Sequence, residues 1–393
     1  MVHLMSVQKN ENRQDLNLVE RIGIDRSVLC NFNVLEVDEK KFKNAAQNQF
    51  GEKVYSQIMH DDQSPIKLDD GRGVSKLVIK HSRIGKLMVS FEKNNLSGRE
   101  YIKSSLELMV SEDANNVQNL NSVEYQARIS NVFKELDEKF GLKIDYSSIR
   151  IKKLEINATF FLNEAYEKYR LPILLLIRNV PVKRYGKNKE NNAVKYAAWY
   201  EANAKLGEEK LETALVKNSS IELKIYNKGK HLNDLGMIDA LDKGLMRVEY
   251  TIKDRRILQN AFGDDLVTSL TDQKINSLFR KYFNRDIVVP YQNWVCRNHE
   301  HLVNLTKKHR KLYQRWTSTF FRECRQYEEL HGLPALFDIE DMESVFRELE
   351  KKSGRNSARK FAKFKDRAIF EADLLGNTAR VKEIISKIEG MYL

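Results

Sequence analysis

Tyr226 stands between two lysines, Lys224 and Lys228, in the run Ile221-Glu222-Leu223-Lys224-Ile225-Tyr226-Asn227-Lys228. A tyrosine phenolate can attack a phosphodiester and hold the phosphate covalently. It is also a good enough leaving group to let the step run backwards. A nearby cation favours the phenolate and attracts phosphate, which gives Lys224 and Lys228 a purpose beside it. Glu155 and Glu249 lie in two other segments and offer hard oxygen donors, as does the amide oxygen of Asn157. Such donors suit Mg2+ or Mn2+, which can polarise a scissile phosphate.

All three segments alternate with the period of a β-strand. Successive side chains of a strand point to opposite faces. In Ile151 to Phe161, Leu154, Ile156, Ala158 and Phe160 share one side, and Lys153, Glu155, Asn157 and Thr159 the other. In Ile221 to Tyr226, Ile221, Leu223 and Ile225 oppose Glu222, Lys224 and Tyr226. In Leu245 to Lys253, Val248, Tyr250 and Ile252 oppose Arg247, Glu249, Thr251 and Lys253. Paired in one antiparallel sheet, these strands would gather Glu155, Asn157, Lys224, Tyr226 and Glu249 on a single face. An antiparallel sheet can leave that face solvated.

Each residue also has a plainer reading. Tyr226 is one of 16 tyrosines, and a strand tyrosine commonly packs its ring and wets its hydroxyl. Glu155 and Glu249 could be surface carboxylates opposite Lys or Arg across a sheet. His299-Glu300-His301, near Cys296, has the look of a metal motif. The surrounding sequence reads as helix, however, and histidines two apart on a helix diverge. No Gly-rich loop ends in Gly-Lys-Ser or Gly-Lys-Thr, which argues against an ATP-driven motor.

Composition narrows the class. Lys and Arg number 67 against 55 Asp and Glu, a formal charge of +12 in 393 residues. An excess of this size suits a polyanion, because neutralising phosphates releases condensed counterions. The three cysteines are far apart, with no CxxC, which fits a reducing compartment. There is no signal-like N-terminus, and no apolar run approaches membrane-spanning length. The reading is therefore cytoplasmic, with no membrane. Ile173 to Ile177 reads as a short buried strand.

The expected fold is α+β, an antiparallel β-sheet catalytic domain followed by an all-helical C-terminal region. Residues 1–75 read as a polar, loosely structured N-terminal segment with a few strands, 76–262 as the β-rich domain and 263–393 as helical. The alternation of Leu87, Val89 and Phe91 predicts a strand. Ile129, Val132, Phe133 and Leu136 predict a helix over 125–140, ended by Gly141. Lys307, Lys308, Arg310 and Lys311 cluster on a later helical stretch. Arg355, Arg359, Lys363 and Arg367 recur every four residues, forming one basic stripe for DNA or a protein partner. An ordinary solvated helix face explains that stripe equally well.

Taken in order, Leu154-Glu155-Ile156-Asn157-Ala158-Thr159-Phe160, Ile225-Tyr226-Asn227-Lys228 and Met246-Arg247-Val248-Glu249-Tyr250-Thr251-Ile252-Lys253 resemble the gene II/X family of filamentous-phage and plasmid replication proteins. More distantly, they resemble the staphylococcal-type trans-acting plasmid initiators. The resemblance covers about residues 85 to 260. It implies a rolling-circle initiator that nicks and rejoins DNA at a double-strand origin through a 5′-phosphotyrosine, with a host helicase unwinding the duplex. By position, Tyr226 would be the nucleophile, Lys228 the lysine that follows it, Glu249 a metal-binding or phosphate-positioning carboxylate, and Glu155 or Asn157 a metal ligand. The family's Asp after Arg-Ile has no single counterpart here, so both of the last two stay open. A homodimer is compatible with this reading. The rivals are a non-catalytic DNA-binding initiator or regulator, and a plasmid-mobilisation relaxase that uses the same chemistry.

Overall fold

The computed structural model describes residues 18–32, 34–38, 40–41, 54–57, 76–81, 85–93, 100–109, 119–179, 212–217, 219–234, 244–293 and 373–392, together with Cys296, Glu300 and Arg347. Its centre is a nine-stranded sheet. In chain order the strands are β1 (Ile22–Cys30), β3 (Val54–Gln57), β4 (Lys76–His81), β5 (Gly85–Lys93), β6 (Glu100–Met109), β8 (Arg150–Phe161), β9 (Thr213–Lys217), β10 (Ile221–Asn227) and β11 (Leu245–Ile252). They lie side by side as β3-β4-β5-β6-β1-β8-β11-β10-β9, and every neighbouring pair is antiparallel. Two short strands, β2 (Val34–Val37) and β7 (Leu142–Ile144), pair separately. The α+β class and the antiparallel sheet are as the alternation predicts. So are the strand around Phe91 and the three strands of the site, to within a residue at each end.

Helix α1 (Ser122–Phe140) begins with a capping box between Asn121 and Glu124. It ends at Gly141, whose φ of 65° is left-handed and suits a residue without Cβ. Its buried face contains the four predicted residues together with Tyr125 and Phe140. The Tyr125 hydroxyl donates to Ser27 Oγ on β1 at 2.7 Å. Helices α4 (Arg255–Phe262) and α5 (Asp272–Phe283) cover the same side of the sheet. Tyr250 of β11 meets Phe279 edge-on at 5.4 Å and lies 5.8 Å from Tyr282. This side takes up Leu154, Ile156, Ala158, Phe160, Leu223, Ile225, Val248 and Ile252, all fully buried. The apolar halves of the three alternating segments therefore form one core wall.

Three expectations need correction. Ile173 to Ile177 is not a strand but part of helix α2 (Arg170–Asn179). A short continuous apolar run carries no period, and Pro172 sits in the first turn, where its missing N–H costs little. The first 75 residues are not a segment apart from the β-rich domain, although the strands expected there are present. They supply β1, which lies between β6 and β8 at the middle of the sheet. Nor does the boundary at 262 separate two cores. From residue 263 on, every described element longer than a single bridge is helical, but Ile275, Leu278 and Phe279 of α5 belong to the sheet's own core. So do Val381, Ile384 and Ile388 of α6 (Asp373–Glu389). Helix α6 is also pinned by polar contacts to the turn after β8. Glu383 accepts from the Asn163 amide at 2.7 Å and the Tyr169 hydroxyl at 2.5 Å, and Arg380 pairs with Glu164 at 2.7 Å. Among the described residues, no helix is long and apolar enough to cross a membrane.

Candidate metal and nucleophile site

Cross-strand partners share a face, so register decides which side chains can meet. Lys224 opposes Glu249 and Tyr226 opposes Arg247. Across the next ladder, Arg247 opposes Thr159, Glu249 opposes Asn157 and Thr251 opposes Glu155. All of the expected site residues on the three strands therefore lie on one face, opposite the core wall. Glu155 and Glu249 are diagonal neighbours, within reach of long side chains.

A third acid completes the group. On β1, Ile24 faces Ile156 while Arg26 faces Glu155, and Asp25 is the extra residue between them. This β-bulge re-aims a side chain, as bulges near functional sites often do. It turns Asp25 towards Glu155 and Glu249, and one carboxylate oxygen from each of the three lies within 4.8 Å of the others. Asp25 escaped sequence reasoning because the bulge breaks the alternation of Ile22-Gly23-Ile24-Asp25-Arg26-Ser27. The available signal was an acid directly after Ile24 in a segment with apolar residues at both ends, Ile22 and Ile24 before it and Val28 and Leu29 after it.

Each acid is held by one cation on one oxygen. Arg247 Nη1 donates to Asp25 Oδ2 at 2.8 Å, Lys153 Nζ to Glu155 Oε1 at 2.5 Å, and Lys224 Nζ to Glu249 Oε1 at 3.1 Å. The second oxygen of Asp25, Oδ1, is buried and finds no hydrogen-bond partner among the described residues. The second oxygen of Glu249 accepts only a long bond, 3.4 Å, from the Tyr226 hydroxyl. Burial and the like charge of Glu155, opposed by Lys224, push the Glu249 carboxyl up from its usual value. Three buried carboxylates with an orphaned oxygen among them are what a hard divalent cation would satisfy. The residues present fit such an ion, and they would hold it through Asp25, Glu155 and Glu249.

Asn157 is placed differently from the ligand role left open for it. Its Oδ1 accepts from the Thr159 hydroxyl at 3.0 Å, and its Nδ2 is the unpaired end. An amide nitrogen does not bind a hard cation, so Glu155 is the better ligand of the two.

Tyr226 closes the last strand of the group. The next residue, Asn227, takes the Lys230 amide on its Oδ1 at 2.9 Å and so caps α3 (Lys228–Asp234). Strand thus becomes helix immediately after the tyrosine, and Lys228 is turned inwards, with 2% of its surface exposed. Burial and the neighbouring Arg247 lower the Lys228 amine to about 7. Burial, together with Glu249 and Asp25, outweighs Arg247 and raises the Tyr226 phenol. His231, on the first turns of α3, meets the Tyr226 ring edge-on at 6.3 Å between centroids and is exposed.

The face is not as open as expected. Glu249 and Glu155 are only 4% and 6% exposed. Solvent reaches the group along its rim, at Lys153, Lys224, half-buried Tyr226 and His231. Lys307, Lys308, Arg310, Lys311, Arg355, Arg359, Lys363 and Arg367 lie outside the described residues, as do His299 and His301. No protein-family model matches the chain, and no curated protein is significantly similar to it.

Proposed function

We propose that this protein is a metal-dependent DNA nicking and joining enzyme with Tyr226 as its nucleophile, acting as a rolling-circle replication initiator. The observation that carries this reading is the convergence of the Tyr226 hydroxyl and three buried carboxylates on one sheet face. That is the constellation needed to activate a phosphodiester and capture it covalently. The net charge of +12 suits a DNA substrate.

The chain's own residues divide the work. The phenol oxygen of Tyr226 attacks the phosphorus and forms the P–O bond. The bond to the 3′ oxygen breaks, and that oxygen leaves as a hydroxyl after taking a proton from solvent water. Lys228, whose amine is partly neutral near pH 7, takes the phenol proton. Lys224 holds Glu249 in place and lends positive charge to the approaching phosphate. A bound Mg2+ or Mn2+, held by Asp25, Glu155 and Glu249, would polarise the phosphate and stabilise charge in the transition state. Because the acids lie deep behind a rim of side chains, an unpaired strand fits the site better than a duplex does. Origin choice and unwinding by a host helicase belong to the same reading, by the resemblance of the three strand motifs.

The test incubates the full chain with labelled single-stranded and supercoiled DNA bearing its candidate origin, with Mg2+ or Mn2+. A covalent adduct at the 5′ phosphate of the downstream fragment and a free 3′ hydroxyl on the upstream one are expected. Tyr226→Phe should abolish both and leave DNA binding intact. Normal cleavage by that variant overturns the assignment, and DNA binding without cleavage by the wild type leaves only a non-catalytic DNA-binding regulator.

A further inference from the structure

Arg247 is the largest fully buried side chain of the described residues. Burying a guanidinium is costly unless its donors are matched. Here they are matched on three sides. Nε donates to Thr159 Oγ1 at 2.7 Å and Nη1 to Asp25 Oδ2 at 2.8 Å. The third contact is with the side chain of Tyr226, its direct cross-strand partner. Thr159 passes the constraint on, donating to Asn157 Oδ1. One rigid fork thus touches the nucleophile, one of the three acids and the strand between them.

We propose that Arg247 is a positioning residue that locks Tyr226 and Asp25 into one unit, so that the nucleophile and the cation are set relative to each other by a single side chain. This rests on the reading of Tyr226 as nucleophile and Asp25 as cation ligand. By occupying Oδ2, Arg247 leaves Oδ1 as the buried oxygen of Asp25 with no hydrogen-bond partner among the described residues. By touching Tyr226, it fixes the phenol on the same frame. A lysine would keep the charge, but as a point charge it could not serve three partners at fixed angles. The plainer role, neutralising a buried aspartate, needs only the charge. Arg247→Lys therefore separates the two roles.

The experiment measures Mn2+ affinity by titration of the full chain, in wild type, Arg247→Lys, Asp25→Asn and the double variant. In parallel, adduct formation on a single-stranded oligonucleotide is followed at saturating Mn2+. Arg247→Lys should weaken Mn2+ binding by about tenfold or more. In the Asp25→Asn background it should have no further effect, because the ligand it positions is gone. At saturating Mn2+ the rate constant for adduct formation should fall while the KM for the oligonucleotide stays unchanged. Thr159→Val removes the Nε acceptor and keeps the arginine, so it carries the test if the lysine variant does not fold. The same pattern is expected from it, with smaller changes. Unchanged Mn2+ affinity, or additive losses in the double variant, overturns the proposal. A wild type that binds Mn2+ with the expected coupling but forms no adduct refutes the nicking reading and leaves the Arg247–Asp25 unit standing. Adduct formation with additive losses does the reverse.

Discussion

Glu249→Gln should make the metal-free protein more stable, although it removes a residue the site depends on. The expectation follows from the charges around Glu249. Two other acids have an oxygen within 4.8 Å of it, and at an effective dielectric near 20 each repels it by roughly 3 kcal/mol. Their own partners, Arg247 and Lys153, reduce that. Lys224, at 3.1 Å, returns an attraction of about 5 kcal/mol before solvent screening of its partly exposed ammonium. Burial adds to the repulsion, and the net result is a carboxyl pushed up from its ordinary value. Glutamine keeps the shape and can still accept from Tyr226, while Lys224 retains Glu222 at 3.2 Å. The expected gain is on the order of 1–2 kcal/mol, or roughly 2–6 °C in Tm.

The sign of its pH dependence is fixed. A carboxyl whose folded value is raised contributes stability that is complete below its unfolded value and is lost as pH rises through the folded one. The advantage of Glu249→Gln should therefore be present at pH 8 and shrink towards pH 5. Divalent cation should reverse the order. At about 100 times its Kd, an ion stabilises the wild type by about 2.7 kcal/mol, and the variant should gain much less. Denaturation in EDTA and in Mg2+, at pH 5 and pH 8, measures all four values. A variant less stable than wild type in EDTA at pH 8 refutes the argument, because the three acids would then not be held together at a cost.

Lys228→Met should also stabilise the metal-free protein. The lysine amine is depressed to about 7 when folded, so the penalty is complete below pH 7 and fades as pH rises towards the unfolded value, about 10.4. The gain, on the order of a few kcal/mol at pH 6, should vanish above pH 10.5 in urea titrations. Gly23→Ala tests the bed beneath Asp25: its Cβ would lie 2.7 Å from Leu120 O and 2.8 Å from Asn119 Cβ. A loss of about 1–3 kcal/mol is expected, with weaker Mn2+ binding as β1 shifts. Asp265→Asn removes the buried acid paired with Arg255 and Arg150. Burial alone would raise that carboxyl, but the two arginines outweigh it and hold it low. Its stability is thus present above the unfolded value and lost as pH falls through the folded one. The variant should lose about 3 kcal/mol at neutral pH and show a flatter acid limb.

The parts of this site that could be read from the sequence are those governed by a strict period. Leu154 to Phe160, Ile221 to Tyr226 and Met246 to Ile252 each send alternate apolar residues into the core, so a slip of one residue would move the whole set to the wrong face. Core burial thus fixes where Glu155, Tyr226 and Glu249 point before any partner strand is known. What the period cannot give is adjacency, and the β1–β8 and β8–β11 pairings come only from tertiary structure. Asp25 was hidden for the opposite reason. A bulge suspends the period beside the acid, putting Asp25 and Arg26 in succession on the side of Glu155, so the ligand next to the local irregularity is the least visible. Arg247 was visible on the correct face, but nothing in its neighbourhood in the chain marks it as buried. A charged residue in an alternating strand is ordinarily read as facing water. It is excluded from water here because the carboxylate it holds lies 222 positions earlier in the chain, and no window along the sequence contains both. The residues most diagnostic of chemistry in this fold are those that break a local rule and are compensated from a distance. For this reason the coupling between Arg247 and Asp25, more than the presence of either, is the measurement that distinguishes a working site from a well-neutralised core.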